Sequence, residues 1–420
     1  MFERRKHRQK KALYHTLEKK ELSRTKRTTM CRTTATTNTI TATQPDESSS
    51  SQTPTDRQGD DGDIPIIDMG PWVSGSGSEE EKFRVAQEIY DAFRTIGFVI
   101  VVNHGVAGDN ASGATGTTAK AFEQSKAFFS LSKEEKLRSA YKDPASNRGY
   151  ISMGQEKLDA ALPDIKETFD IGFEGEAAYQ NEWPTEALGN RNFRDAMLAC
   201  FSEYDRLHLA ILRALARGMG LGNDDYFTPL CDGNHQNLRL LHYPECDRDA
   251  ITKQGQKRGG IHTDYGTLTL VSQQKVSGLV AQKLDGSWAS VPPYPGGIVV
   301  NVGEMLQRWS NDILRATPHQ ILDDDPLSTS SNDAHDAPPK TARVPERYSI
   351  AFFCNANKET SLECLPVCSG PGRPPRYEPI NAHAYLTMRL ASTIPVMAPA
   401  ASTPAASNSV DLCTRLPEFP

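Results

Sequence analysis

Three residues in the second half of the chain have the types and the spacing of metal ligands. His262 and Asp264 are two positions apart, and His319 follows in Thr317-Pro318-His319. Residues two apart in an extended strand project to the same side, so His262 and Asp264 could converge on one ion where the chain leaves its strand. Two imidazoles and one carboxylate suit a non-haem Fe(II) site, because they can occupy one face of an octahedron and leave adjacent positions open.

A second group of residues could bind a carboxylate close to that ion. Arg347 and Ser349 would share one face of a strand, and Tyr243 ends another predicted strand. A guanidinium with neighbouring hydroxyl groups can hold a carboxylate through charge-assisted hydrogen bonds. The alternative interpretation is a solvated outer face, since Arg-x-Ser is a common string.

The part of the chain from residue 62 to 230 is predicted to be mostly helical. Ser78 and Glu81 form a capping-box pattern before a helix that stops at Gly97. Apolar residues three or four apart predict a long amphipathic helix from about residue 193 to 217. Short β-branched runs between the helices predict a few strands in this part.

From residue 231 to 392 the pattern changes to short β-branched and aromatic runs separated by turns. Asp285-Gly286 between two such runs is a hairpin signal. About seven or eight short strands with one helical insertion predict a double-sheet jelly roll, which can hold a ligand between its sheets. Residues 380–392 are predicted to form a closing helix. The predicted fold class is therefore α+β, with a double-stranded β-helix (jelly-roll) core, a mostly helical N-terminal part and a closing C-terminal helix.

Composition excludes several classes of protein for the folded part. Residues 1–61 and 393–420 are polar or small and are predicted to be disordered, as is the loop at 323–345. The net charge of −6 is too mild to suggest a polyanion partner. Apolar runs of membrane-span length are missing, and the eight cysteines are too sparse for a disulfide framework.

We therefore expect an enzyme for a small-molecule substrate, with no nucleic-acid, membrane or obligate protein partner. The expected location is the cytoplasm. The basic run that precedes Met30 leaves a nuclear location open, and Met30 is itself an alternative start.

Several motifs, taken together, resemble one known family. They are Gly260–Gly266, Pro295–Gly297, Asn301–Glu304, Arg308–Asn311, Thr317–His319, Arg347–Ser349 and, nearer the N-terminus, Ile64–Asp68, Gly97-Phe98 and Asn103–Gly105. These segments look like those of the 2-oxoglutarate- and Fe(II)-dependent dioxygenases of the isopenicillin N synthase-like superfamily, its fungal members in particular. The resemblance covers about residues 62–392.

The resemblance implies a role for each candidate residue. It implies that His262, Asp264 and His319 bind Fe(II), and that Arg347 and Ser349 hold the distal carboxylate of 2-oxoglutarate. The implied reaction uses O2 to oxidise a C–H bond of a small organic molecule, by hydroxylation or desaturation, and releases succinate and CO2. Ascorbate is an expected stimulant, and secondary metabolism is an expected setting.

The resemblance also places Tyr243 beside the co-substrate. The family's Asn-Tyr-Tyr-Pro string reads Leu241-His242-Tyr243-Pro244 here, so any polar contact of the usual Asn is lost. The substrate would lie between the barrel mouth and the helical part. The residues expected to line its site are Phe353, Arg148, Tyr150 and Phe169.

Three alternatives stay open at this point. Some members of this superfamily oxidise their substrate without 2-oxoglutarate, and in them the Arg and Ser pair can grip a substrate carboxylate instead. A non-catalytic jelly-roll binding module is the second alternative, and it would be marked by the loss of an iron ligand. A nucleic-acid demethylase is the third, supported only by the basic N-terminal run.

Overall fold

The computed structural model describes residues 64–107, 116–143, 146–155, 164–176, 178–184, 190–252, 257–322 and 343–393. All of these residues belong to one compact unit. The predicted extension at 1–61 lies outside the described residues, as does the predicted tail beyond Thr393. Most of the predicted 323–345 loop also lies outside them, but Arg343–Val344 pairs as a short strand with Cys246–Asp247, so the loop ends earlier than expected.

The described residues form nine α-helices and one 3₁₀ turn at Pro366–Cys368. The helices are α1 (Gly70–Val73), α2 (Glu79–Thr95), α3 (Thr117–Phe129), α4 (Lys133–Leu137), α5 (Asn190–Gly218), α6 (Thr228–Cys231), α7 (Arg248–Thr252), α8 (Glu304–Trp309) and α9 (Ala382–Thr393). None of these helices combines the length and the apolar character that a membrane crossing requires.

The described strands number sixteen. They are β1 (Ile66–Asp68), β2 (Phe98–Val102), β3 (Gly149–Ile151), β4 (Glu167–Gly172), β5 (Asn237–Tyr243), β6 (Cys246–Asp247), β7 (Gly259–His262), β8 (Leu268–Gln273), β9 (Leu279–Gln282), β10 (Trp288–Ser290), β11 (Ile298–Val302), β12 (His319–Ile321), β13 (Arg343–Val344), β14 (Arg347–Phe353), β15 (Ser361–Leu362) and β16 (Ile380–Asn381).

Two sheets form the jelly roll. The large sheet has eight strands in the order β1-β2-β11-β8-β14-β5-β4-β3, and the small sheet has four in the order β10-β9-β12-β7. The small sheet has an irregular register, because His319 pairs with His262 whereas Ile321 pairs with Gly259. Such an irregularity is a β-bulge, which redirects side chains locally.

The N-terminal part contributes four strands to the large sheet. β1 and β2 form one edge, and β3 and β4 form the other, next to β5. The sequence predicts only a few strands in this part and does not identify β3 or β4 among them. Each is only three to six residues long, so its alternation is too short to read without the partner strand. The large sheet therefore crosses the regional boundary expected at residue 230.

Local signals explain where α2 begins and ends. Ser78 and Glu81 form the predicted capping box, since Ser78 Oγ accepts from the Glu81 amide and Glu81 Oε2 accepts from the Ser78 amide. Gly97 ends the helix with φ +73°, and a Cβ there would lie 2.3 Å from the Arg315 carbonyl oxygen. Glycine therefore allows α2 to approach the segment that leads into β12.

Two apolar layers leave a cavity at one end of the barrel. The outer face of the large sheet packs against α2, α3 and α5 in one buried cluster. A smaller cluster, including Phe98, Ile100 and Leu279, lies between the sheets. Burying a side chain such as Phe98 stabilises the fold by about 1.5–3 kcal/mol. Phe98 also packs edge-on against His319, with ring centroids 5.5 Å apart, so the core directly supports the candidate site.

Candidate active site

The two sheets bring the three predicted metal ligands together. Among the described residues, His262, Asp264 and His319 form the one cluster of at least three candidate ligands, with ligand atoms within 4.8 Å of one another. Asp264 Oδ1 lies 3.7 Å from His262 Nε2 and 3.8 Å from His319 Nε2. The two histidines are direct cross-strand partners on β7 and β12, which explains how residues so far apart in sequence meet.

Hydrogen bonds orient all three ligands. His262 Nδ1 lies 2.8 Å from the Gly260 carbonyl oxygen, and His319 Nδ1 lies 3.0 Å from that of Thr317. Each carbonyl can accept an Nδ1 proton, which leaves Nε2 as the metal-binding atom. Asn301 Nδ2 donates to Asp264 Oδ2 at 2.8 Å and leaves Oδ1 facing the histidines. This donor set fits one divalent transition metal.

The protonation states also suit metal binding. Burial and then the neighbouring His319 lower the pKa of His262 to about 4. Burial alone would raise the pKa of Asp264, but the two imidazoles and hydrogen bonds from Asn301 and Thr269 lower it below its ordinary value. A neutral imidazole and an ionised carboxylate are the forms that coordinate a metal.

The predicted carboxylate-binding residues line the same cavity, which has a volume of about 800 Å³. Arg347 is 1% exposed and Ser349 is 3% exposed. Arg347 donates to Ser349 Oγ at 3.1 Å and to Gln273 Oε1 at 2.9 Å. Its buried Nε has no hydrogen-bond partner among the described residues, and the group that offsets its burial there is the Tyr243 phenol, not a carboxylate. A buried guanidinium that is not offset by a carboxylate among these residues fits an anionic co-substrate.

Two guanidinium groups lie close to the Tyr243 ring. Arg347 Cζ is 5.0 Å from the centre of that ring, and Arg258 Cζ is 5.5 Å from it. Arg258 is 2% exposed and donates to the carbonyl oxygens of Tyr243 and Pro345 at 2.8 and 2.9 Å. Arg258 therefore joins the ends of β5 and β14, where the co-substrate residues lie. Arg258 was not predictable from the sequence because its backbone partners are distant along the chain.

We expect Arg258→Met to raise the KM for 2-oxoglutarate about three- to tenfold while kcat changes less. The reason is that Arg258 acts on the co-substrate only by holding Tyr243 and the start of β14. Steady-state kinetics at varied 2-oxoglutarate would measure the effect, and Arg258→Lys should recover part of it. A lower melting temperature with an unchanged KM would instead assign Arg258 a purely structural role.

The wall above the co-substrate residues carries a polar cluster near Phe353. Arg239 on β5 pairs with Ala351 on β14, and the Arg239 guanidinium is 5.8 Å from the centre of the Phe353 ring. Asp170 Oδ1 accepts from Arg239 Nε at 2.8 Å and from Asn237 Nδ2 at 2.6 Å. Phe353, Arg239 and Asn237 line the cavity. Arg239 and Asn237 were not predicted from the sequence, although both share the parity of Tyr243 on the predicted strand and that signal could have found them.

The other predicted substrate residues divide three ways. Arg148 lines the cavity, where Nη2 pairs with Glu176 at 3.1 Å. Tyr150 borders the cavity, but its hydroxyl donates to buried Glu167. Phe169 was predicted wrongly: it is 1% exposed, it is not among the residues lining the cavity, and it packs 4.7 Å from Phe128 in the core. On β4, Phe169 has the opposite parity to Asp170, so its side chain points to the helical layer.

Comparisons with known proteins agree with this geometry. Residues 64–186 match the family described as the N-terminal region of the non-haem dioxygenase in morphine synthesis, and residues 234–356 match the 2OG-Fe(II) oxygenase superfamily. The chain is 31% identical to the 2-oxoglutarate-Fe(II) type oxidoreductase ppzD of Metarhizium rileyi over 79% of this chain and 91% of that protein. It is 32% identical to the proline hydroxylase buaE of Petromyces alliaceus over 79% and 99%.

A solved structure shows the same similarity. The full-length T7H protein of Neurospora crassa, in complex with alpha-KG, is 35% identical to this chain and has a TM-score of 0.69. The similarity covers 80% of this chain and 98% of that one. Together with the jelly-roll core, these findings confirm the predicted family, and the chain belongs to the 2-oxoglutarate- and Fe(II)-dependent dioxygenases.

Proposed function

We propose that His262, Asp264 and His319 bind the Fe(II) of this dioxygenase and that Arg347, with Ser349, binds the distal carboxylate of 2-oxoglutarate. The single observation that carries the assignment is the convergence of the three ligand atoms in the cavity that Arg347 also lines. When bound, Fe(II) supplies O2 activation coupled to oxidative decarboxylation of 2-oxoglutarate.

The protein's own residues supply orientation and a dry cavity. The Gly260 and Thr317 carbonyls fix the imidazole rings, and Asn301 fixes the Asp264 carboxylate. Arg347 provides a buried positive charge in the cavity wall, where burial strengthens its attraction to an anion. Apolar wall residues such as Val271 exclude water from the space between the metal ligands and Arg347.

Every cation named here in the rest of the cavity has a carboxylate partner, although two of them share one carboxylate, and this pairing favours a neutral substrate. Arg239 pairs with Asp170 at 2.8 Å, and Lys166 pairs with Asp164 at 2.8 Å. Arg148 and Lys358 both pair with Glu176. A carboxylate substrate would have to compete with these protein carboxylates for the cavity cations, whereas a neutral molecule would not.

We therefore propose a neutral, planar heterocycle of the pyrimidine-base type as the substrate. Phe353 can stack on a planar ring, and Arg239 and Asn237 can hydrogen-bond its edge. Related Neurospora crassa T7H structures, which are 34–35% identical to this chain, contain thymine or 5-formyluracil. Those ligands are the first candidates to test here.

The test is turnover with thymine in the presence of Fe(II), 2-oxoglutarate and ascorbate, which we propose as a stimulant. We expect succinate release matched by a product one oxygen atom heavier than thymine. Proline serves as a zwitterionic comparison, because the relative buaE is named a proline hydroxylase. Coupled turnover of proline, or of a secondary metabolite with a carboxylate, but not of thymine would overturn the neutral-heterocycle proposal.

We expect Arg239→Gln to raise the KM for thymine about tenfold or more, since a hydrogen bond from a charged group contributes roughly 1.5–3 kcal/mol. The KM for 2-oxoglutarate should stay close to its original value, because Arg347 is unchanged. Arg84→Gln, which removes a solvent-exposed ion pair with Glu88 on α2, is the matched control. Equal effects on both KM values would contradict a substrate-specific role for Arg239.

A further inference from the structure

One carboxylate joins the loop that carries the metal ligands to the C-terminal helix. Glu304 is the first residue of α8, and its side chain is 13% exposed. Its Oε1 accepts from Thr263 Oγ1 at 2.5 Å and from Arg389 Nη2 at 2.8 Å, and its Oε2 accepts from Tyr385 OH at 2.5 Å. Three partners from two separate segments therefore share one anion.

The first of these segments is the metal-ligand loop. Thr263 stands between His262 and Asp264, and the Glu304 amide donates to the Asp264 carbonyl oxygen at 2.8 Å. A Cβ at Gly303 would lie 2.3 Å from the Gly266 carbonyl oxygen, so glycine at 303 permits this close approach. Glu304 thus holds the loop through both its backbone and its side chain.

The second segment is α9. Tyr385 and Arg389 are four residues apart and face the same side of the helix. Leu386 and Leu390 of α9 line the cavity. The Arg389 guanidinium also lies 4.7 Å from the centre of the ring of Tyr265, the residue that follows Asp264 in the sequence. The helix that covers the cavity is therefore attached to the ligand loop by two side chains that both contact Glu304.

We propose that Glu304 is a positioning residue that couples the docking of α9 over the cavity to the geometry of His262 and Asp264. A docked α9 and a correctly oriented ligand pair then form together. The inference rests on the proposed assignment of these two residues as iron ligands. It assigns Glu304 no contact with substrate or metal.

The test compares Glu304→Gln with the wild-type protein by two readouts that do not depend on turnover. The first is the anaerobic Fe(II) dissociation constant. The second is hydrogen–deuterium exchange in α9 and in residues 260–266. We expect about tenfold weaker Fe(II) binding, because the loop that carries His262 and Asp264 loses a charged anchor outside the ligand set, and faster exchange in both segments together.

Two further variants keep the test decisive. Tyr385→Phe removes only the hydrogen bond from Tyr385 to Glu304, so it should weaken Fe(II) binding and speed exchange by a smaller factor than Glu304→Gln. It keeps the proposal testable if Glu304→Gln folds poorly. Glu174→Gln is the matched control, because Glu174 also accepts from several side chains, those of Asn181, Trp183 and Arg194, without contacting α9 or the ligand loop.

Two results would overturn the inference. Faster exchange confined to α9 with unchanged Fe(II) affinity would make Glu304 a structural contact of the helix alone. Exchange rates and Fe(II) affinity that both match those of the wild-type protein would show that Glu304 does not couple the two segments. Failure of the ligand assignment is distinguishable, because the wild-type protein and Asp264→Ala would then bind Fe(II) equally.

Discussion

Asp264→Ala is expected to abolish coupled turnover, with a loss on the order of a thousandfold or more, because it removes one of three ligands and the only anionic one. The variant should still fold, since Asp264 lies at the cavity wall beyond the end of β7. Anaerobic Fe(II) titration, succinate release and a thermal melt would measure metal binding, activity and folding separately.

Asp285→Ala is a suitable control for Asp264→Ala. Asp285 is an exposed carboxylate in the hairpin between β9 and β10, where it accepts from the Ser287 amide and hydroxyl. The Asp285→Ala substitution should slightly destabilise the hairpin and leave iron binding unchanged. A folded Asp264→Ala protein that keeps wild-type turnover would remove Asp264 from the ligand set.

Arg347→Met is expected to raise the KM for 2-oxoglutarate about ten- to a hundredfold, because a charge-assisted interaction contributes roughly 1.5–3 kcal/mol. The visible charge-transfer band that forms anaerobically from Fe(II) and 2-oxoglutarate should appear only at correspondingly higher co-substrate concentration. Fe(II) affinity itself should not change, since Arg347 contacts none of the three ligands.

Arg343→Met provides the comparison for Arg347→Met. Arg343 lies four residues earlier, is half exposed, and pairs with Glu245 and Asp247 at the surface. Surface pairs of this kind contribute little to stability. If Arg347→Met required no more 2-oxoglutarate than Arg343→Met, the co-substrate would have to be held elsewhere in the cavity.

The site was predictable wherever its chemistry depends on short-range spacing. The two-residue spacing of His262 and Asp264 implies a shared side of the chain, and the same parity argument groups Arg347 with Ser349. The structure brings all four into the same cavity. Their roles stay predictions, as does the cytoplasmic location.

Features that depend on partners distant in sequence were not predictable. Strand β4 joins the large sheet by pairing with β5, and β3 joins it by pairing with β4. Strand β5 follows β4 by more than sixty residues of chain. Phe169 could not be assigned to the core without knowing that its neighbour Asp170 faces Arg239. The pairing of cavity cations with carboxylates likewise depends on tertiary contacts, which spacing along one segment does not encode.

The cross-strand pairing of His262 with His319 has an evolutionary consequence. Between the pairs His319–His262 and Ile321–Gly259, β12 advances by two residues and β7 by three. Strand β7 therefore has one residue more than a regular ladder needs. Losing one residue at position 260 or 261 would give a regular ladder in which His262 still lies opposite His319, because directly paired residues of an antiparallel ladder project to the same side of the sheet. The strand can therefore change length by one residue during evolution while the two histidines stay together.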